Sequence, residues 1–368
     1  GITDWFAQTA LADWLNSWWV TLPASAKMAC FGFMLFGCGC EMAGTTVSKA
    51  SAKWFKGKEM ALAMGLEMAI ARVGVFAIFS ISPIIANHFG TVVAPVAFCT
   101  VLLLIGLITF IVFTFMDKAL DKQMGVTEEA ADPEEEFKFS DLGKIFSSQV
   151  FWIVALLCVL YYSAIFPFQR YGANMLQCNL DGISAEAASN IFRWFPIGAA
   201  VITPFLGNFL DRKGKGATML MGGALLLICC HLVFAFVLPA TKSPVIAYST
   251  IVLLGISFAL VPAALWPSVP KIIDEKILGS AYCLLFWVPT IGLSFVPKLI
   301  GNLLASTNAD NPAVIAAKAA GAEFIPYDYT VPLLVFASFG VLALLFAIYL
   351  KALDKKRGFG LEQPNIKQ

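Results

Sequence analysis

Apolar residues in this chain run in blocks of about 20 or more, the length a helix needs to cross a bilayer. Polar clusters close each block. Nine such runs fall near 27–49, 60–86, 91–115, 150–173, 188–210, 217–238, 245–270, 279–304 and 330–350. In hydrocarbon each backbone polar group must be satisfied within its own segment, so the pattern predicts membrane-spanning helices. The fold class expected is therefore all-α and polytopic.

Three polar or amphipathic stretches interrupt the series. Upstream, Leu11, Trp14, Leu15, Trp18, Trp19 and Leu22 recur at helical spacing beside Asp4 and Asp13, which predicts an amphipathic helix in the outer interface. The other reading of that stretch is the tail of a lost span. Between the third and fourth runs, Glu128, Glu129, Asp132, Glu134, Glu135 and Glu136 surround Pro133, as expected of a solvated linker over 117–148. The segment 306–329 contains an Ala-rich stretch and predicts a short external helix. The resulting domain plan is 1–116 (amphipathic segment plus three spans), a linker at 117–148, a six-span half at 149–351 and a tail at 352–368.

Composition agrees with the block pattern. Of 368 residues, 59% are apolar and 13% charged, where a soluble chain has about 25% charged. The net charge of +1 argues against a nucleic-acid partner. Most of the nine cysteines lie in apolar runs, among them Cys38, Cys40, Cys158, Cys229, Cys230 and Cys283. Without metal-ligand spacing to His88 or His231, they read as small buried hydrophobes. Neither a metal nor a cofactor is expected. Basic residues orient the spans. Eighteen lysines and arginines fall on the side of the 117–148 linker, against Lys27, Lys242 and Lys318 on the other. The positive-inside rule then places the linker and C-terminus in the cytoplasm.

Against this background two charges stand out: Glu41 in FMLFGCGCEMAGTTV and Arg72 in ALAMGLEMAIARVGVFAIF. A charge at the bilayer centre costs roughly 2.5–3.5 kcal/mol on insertion scales, so such residues face a cavity and a partner. Helical rise puts Glu41 roughly 12 Å and Arg72 roughly 20 Å from the turn that joins their spans. The offset of about 7 Å matches the reach of two extended residues. An acid and a base so placed suit a zwitterionic solute, Arg72 offering a planar fork to a carboxylate. The plainer reading is an internal ion pair. Tyr161, Tyr162 and Phe166 are cavity-lining candidates, with packing as the alternative. Trp266, among Pro262, Pro267 and Pro270, could cover a solute or anchor at the interface. Arg170 and Arg193 are expected to snorkel at external helix ends, and Lys298 is a further cavity candidate. No P-loop, nucleophile elbow or metal set is present, so the chain does not read as an enzyme.

The stretch GNFLDRKGKGATML contains Gly207, Asp211, Arg212, Gly214 and Lys215. It resembles the loop signature of the major facilitator superfamily, G-x-x-x-D-R-x-G-R/K. That resemblance implies a gating latch in which Asp211 and Arg212 reach neighbouring helix ends and Gly207 lets helices approach closely. It also implies a major facilitator-type bundle with nine of the usual twelve spans, the first three being absent. KASAKWFKGKEMALAMGLEMAIARVG (49–74), YYSAIFPF (161–168) and ALWPSVP (264–270) narrow the resemblance to the lysosomal dipeptide transporter branch. In that branch a glutamate and an arginine on consecutive helices hold the two termini of a dipeptide. Glu41 and Arg72 occupy the matching places. Glu67 departs from the branch, which tends to carry glutamine there.

The expectation is thus a secondary transporter of dipeptides embedded in a lipid bilayer, with Glu41, Arg72, Trp266 and Tyr162 binding substrate. Its membrane would be lysosomal in a eukaryote and the plasma or inner membrane in a bacterium. The branch implies an accessory membrane subunit as a candidate partner. Alternatives are a facilitator of another organic anion or amino acid, and a membrane sensor or scaffold that binds ligand without moving it.

Overall fold

The computed structural model describes residues 2–18, 21–54, 60–124, 139–273 and 277–364. Among them every regular element is helical: α1 (Ile2–Ala7), α2 (Ala10–Ser17), α3 (Ala24–Trp54), α4 (Met60–Phe89), α5 (Val93–Met124), α6 (Phe139–Ser147), α7 (Gln149–Asn179) and α8 (Ala185–Phe192). They continue as α9 (Trp194–Lys213), α10 (Gly216–Leu232), α11 (Leu238–Thr241), α12 (Pro244–Leu265), α13 (Val269–Ile272), α14 (Leu278–Thr307), α15 (Pro312–Ala319) and α16 (Thr330–Arg357). Eight described helices are long and apolar enough to cross a membrane. The chain is an all-α, multi-pass membrane protein.

Proline and polar residues account for where these helices depart from the expected runs. The run at 188–210 is divided between α8 and α9 at Arg193. Pro196 has no N–H to donate to Phe192. Asp211, Arg212 and Lys213 then shorten the apolar length of α9. α10 passes through a π turn, Val233–Val237, just before Pro239, a wider turn that absorbs the missing donor. At the proline-rich end of α12 the helix tightens into a 3₁₀ turn, Trp266–Ser268, before α13. The Ala-rich segment does form a helix, α15, capped by the Asn311 side chain on Ala313 N–H at 3.1 Å. The acidic run at 128–136 lies outside the described residues.

Two compact units divide the chain, residues 1–70 and 71–368, with the boundary inside α4. In the first, Ala12, Leu15 and Ala24 form a small buried cluster against Phe6. Asn16 accepts the first N–H of α3 at 2.9 Å. The Lys27 ammonium donates to the carbonyls of Leu15 and Trp18 and lies over the Trp18 ring, 4.7 Å from its centroid. These contacts satisfy the carbonyls at the end of α2 and hold it against α3. Leu15 turns inward while Trp14 and Trp18 stay exposed, so the aromatic stripe does not share one buried face. Trp19 lies outside the described residues.

The second unit has an extensive core built on α7, α10, α12 and α16. Its helices cross at small residues. A Cβ on Gly255 would collide with the Phe195 carbonyl oxygen, and one on Gly198 would stand 2.7 Å from that of Val252, so α9 and α12 pack backbone to backbone. Tyr161, expected as a cavity candidate, is fully buried in this core. Its hydroxyl donates to the Ser257 carbonyl, and the Ser257 hydroxyl donates to Gly223 O at 2.9 Å. His231 is fully buried between the rings of Phe168 and Phe336. The cysteines only partly follow expectation. Cys158 and Cys230 are buried, whereas Cys38, Cys40, Cys229 and Cys283 point away from protein neighbours on helix surfaces. An apolar run by itself does not choose between core and lipid.

Candidate functional site

Arg72 lies on α4, and its guanidinium sits over the ring of Phe258 on α12, 5.1 Å from the centroid. A cation against a ring face is favoured by the ring quadrupole, more so away from water. Tyr162 on α7 lies within electrostatic reach of the Arg72 guanidinium and beside Trp266. Phe166, one turn along α7, packs edge-to-face on both Tyr162 and Phe258, at 5.3 and 5.6 Å. Trp266 in turn stacks on Phe286 of α14 at 4.6 Å. Three of the four side chains expected to bind substrate, Arg72, Tyr162 and Trp266, therefore come together within the second unit. Glu41 is exposed on α3 in the first unit.

The arrangement has clear chemical consequences. Aromatic rings on α7 and α12 limit the water around the Arg72 guanidinium, and lower local dielectric strengthens its attraction for an anion. Ring contacts with Phe166 and Phe286 hold Tyr162 and Trp266 without using a charge. A cluster of this kind can bind a carboxylate and shield it. Phe258 and Phe286 escaped the sequence reading because α12 and α14 are apolar on all sides, so no periodicity singles them out.

Beyond Phe166 a cavity of about 360 Å³ opens between α4, α7 and α14, lined by Phe79, Phe166, Gln169, Arg170, Leu293 and Pro297 among others. Arg170 is exposed and contributes to the wall of this cavity. Lys298 is exposed beside Pro297 and is not among the lining side chains. Arg193 departs from the expected snorkelling. It reaches inward, with its guanidinium 5.3 Å from the Phe76 ring and donating to Ser80 Oγ at 3.4 Å and Asn190 Oδ1 at 3.2 Å. Ser189 Oγ donates to Phe79 O at 2.8 Å, and Phe79 packs on Phe192 at 5.0 Å. These contacts fasten the second half of α4 to the α8–α9 corner.

The signature loop behaves differently from expectation at one glycine. Gly207 was expected to permit close helix approach, yet a Cβ there would meet nothing within 4 Å. Its helix face has no backbone neighbour among the described residues. Gly214 is in the left-handed region at φ 71° and lies against the main chain of Gln363. Arg212 is exposed. The side chains of Asp211 and Glu67 lie outside the described residues.

The sequence profile of the Major Facilitator Superfamily matches residues 6–297. The chain is 29% identical over 289 residues to the lysosomal dipeptide transporter MFSD1 of Homo sapiens, covering 75% of this chain and 59% of the human protein. The Gallus gallus transporter of the same name is 29% identical over 282 residues, covering 74% and 61%. That of Danio rerio is 29% identical over 291 residues, covering 74% and 59%. The chain spans about three-fifths of the length of these curated relatives.

Proposed function

The chain belongs to the Major Facilitator Superfamily, and from that premise we propose that it moves dipeptides across a membrane by alternating access. The observation that carries this reading is the cluster of Arg72, Tyr162 and Trp266, built from segments far apart in sequence. Arg72 grips the terminal carboxylate of the solute through its planar fork. Glu41 meets the terminal ammonium. Tyr162 and Trp266 wall the site, and recognition of the two backbone ends leaves the solute's side chains loosely accommodated. The likeness to proteins named as lysosomal dipeptide transporters supports the substrate class.

In this reading the linker and C-terminus face the cytoplasm, as their lysines and arginines favour. The domain plan is three spans, a linker and a six-span half. The halves rock about a midplane site, and the signature loop around Asp211, Arg212 and Gly214 serves as a latch in one state. Gly207 adds no close packing to that latch. Transport runs as uniport or with protons following, and an accessory membrane subunit is a candidate partner.

Uptake of a radiolabelled dipeptide into vesicles containing the protein tests the proposal. Arg72→Ala is expected to reduce uptake to background, and unaltered uptake by this variant would sink the carboxylate clamp. Glu41→Gln is expected to weaken dipeptides while sparing solutes that lack an ammonium group. Competition among dipeptides, free amino acids and monocarboxylates separates dipeptide transport from that of another organic anion. Ligand-dependent thermal stabilisation without flux would instead identify a sensor.

A further inference from the structure

The end of the chain folds back onto the α9–α10 turn. α16 stops at Gly358, whose φ of 71° is in the left-handed region and whose N–H bonds Asp354 O at 2.7 Å. Gly360, at φ 79°, reverses the chain again. Asp354, itself buried, accepts the Leu361 N–H at 3.1 Å, and Leu361 is 1% exposed. A tail that buries a leucine and satisfies a buried carboxylate is part of the fold.

What it touches has the form of a binding site. The N-terminus of α10 offers unpaired N–H groups and a partial positive charge, and its N-cap residue, Lys215, makes no side-chain cap. The tail supplies the acceptors. Leu361 O takes the Gly216 N–H at 2.9 Å and Glu362 O takes the Lys215 N–H at 3.1 Å. The Glu362 carboxylate takes the Thr218 N–H and the Thr218 hydroxyl, both at 2.8 Å. Lys351 Nζ lies 3.7 Å from that carboxylate and donates to Thr218 Oγ1 at 2.6 Å. Lys271 Nζ holds the tail backbone through Gly360 O at 3.2 Å and Gln363 O at 3.1 Å. Burial keeps the Lys271 ammonium below its ordinary pKa, with the Asp354 carboxylate offsetting part of that effect.

The turn is shaped for this occupant. Gly214 and Lys215 both have φ 71°, which directs consecutive N–H groups toward the tail. A Cβ on Gly214 would collide with the Gln363 backbone, and one on Gly216 would stand 2.8 Å from Leu361 O. Two glycines of the signature stretch are therefore explained by a peptide lying across them.

We infer that the 214–218 turn, together with Lys351 and Lys271, is a binding site for a short acidic peptide, and that the chain's own Gly358–Gln363 segment is its resident ligand. Glu362 supplies the charge and Leu361 the apolar anchor. Bound in cis, the segment straps together the ends of α9, α10, α13 and α16, at the same loop that carries the superfamily signature. This site is separate from the Arg72 cluster and does not depend on what the protein transports.

Hydrogen exchange read by mass spectrometry on the full chain tests the inference without reference to flux. The amides of Lys215, Gly216 and Thr218 should be protected, and Glu362→Lys should speed their exchange at least tenfold. Gly214→Ala should do the same by excluding the tail. A synthetic peptide of residues 358–364, added to the Glu362→Lys protein, should restore protection, whereas the same peptide carrying lysine for Glu362 should not. Protection unchanged in Glu362→Lys would overturn the strap. Protection lost but not restored by the wild-type peptide would overturn the peptide site.

Discussion

α5 and α7 have nearly the same length and are both strongly apolar, α5 the more so, yet their surroundings are opposite. Among the described residues, the most apolar window of α5 has none buried, whereas 67% of that of α7 is buried. The same contrast separates α3 and α4, at 6% and 0%, from α10, α12, α14 and α16, at 33–44%. Hydrophobicity is therefore sufficient to place a segment in lipid and insufficient to give it protein neighbours. The contacts of α7 are specific ones. α7 meets α14 where Gly292 abuts Ser163 and Val159, and its Tyr161 and Phe168 fill the core. α5 presents Leu, Ile, Val and Phe all round, and its Gly106 faces open space. Without a hydrophobic drive between helices in lipid, close backbone approach and dispersion contacts decide which ones associate.

Four substitutions sharpen that contrast. Gly255→Val forces α9 and α12 apart, and a loss of roughly 3 kcal/mol or more is expected, seen as a large fall in Tm in detergent. A Tm within error of the parent would mean the crossing is looser than described. Tyr161→Phe removes a buried donor and leaves the Ser257 carbonyl short of a partner, for a loss of about 1–2 kcal/mol in the same assay. Phe258→Leu removes the ring beneath Arg72. Uptake should show a KM several-fold higher, equivalent to about 1 kcal/mol, with Tm little changed. Gly106→Val, in α5, should leave stability and uptake within about 0.5 kcal/mol of the parent. A large effect there would reveal a neighbour that α5 meets in the membrane.

Much of the site was legible as residue identity. Arg72 declared itself because a guanidinium in an apolar run is costly, and Trp266 because prolines on both sides mark a break in the helix. Tyr162 was named for substrate and Tyr161 only as a cavity candidate, and the two prove to differ in surroundings. One turns toward Arg72 and Trp266, the other into the core against Ser257, and adjacent positions on a helix differ by about 100° in direction. Arg193 was misjudged for a related reason. Its place at a helix end predicts snorkelling, but the break before α9 aims it at Phe76 and Ser80. Nothing in the final 17 residues announced that Leu361 and Glu362 would dock on the α9–α10 turn, since the partners lie some 140 positions apart.

By itself, the sequence determined that this chain is a bundle of membrane-spanning helices with an acid and a base held in apolar spans, because burying charge and unpaired backbone in lipid is too costly to occur without compensation. Only the tertiary structure decided which aromatic rings surround Arg72, which helices share a core and where the tail binds. Those outcomes depend on how side-chain shapes and hydrogen-bond donors meet across helices, and a linear pattern of apolar and polar residues does not encode that meeting.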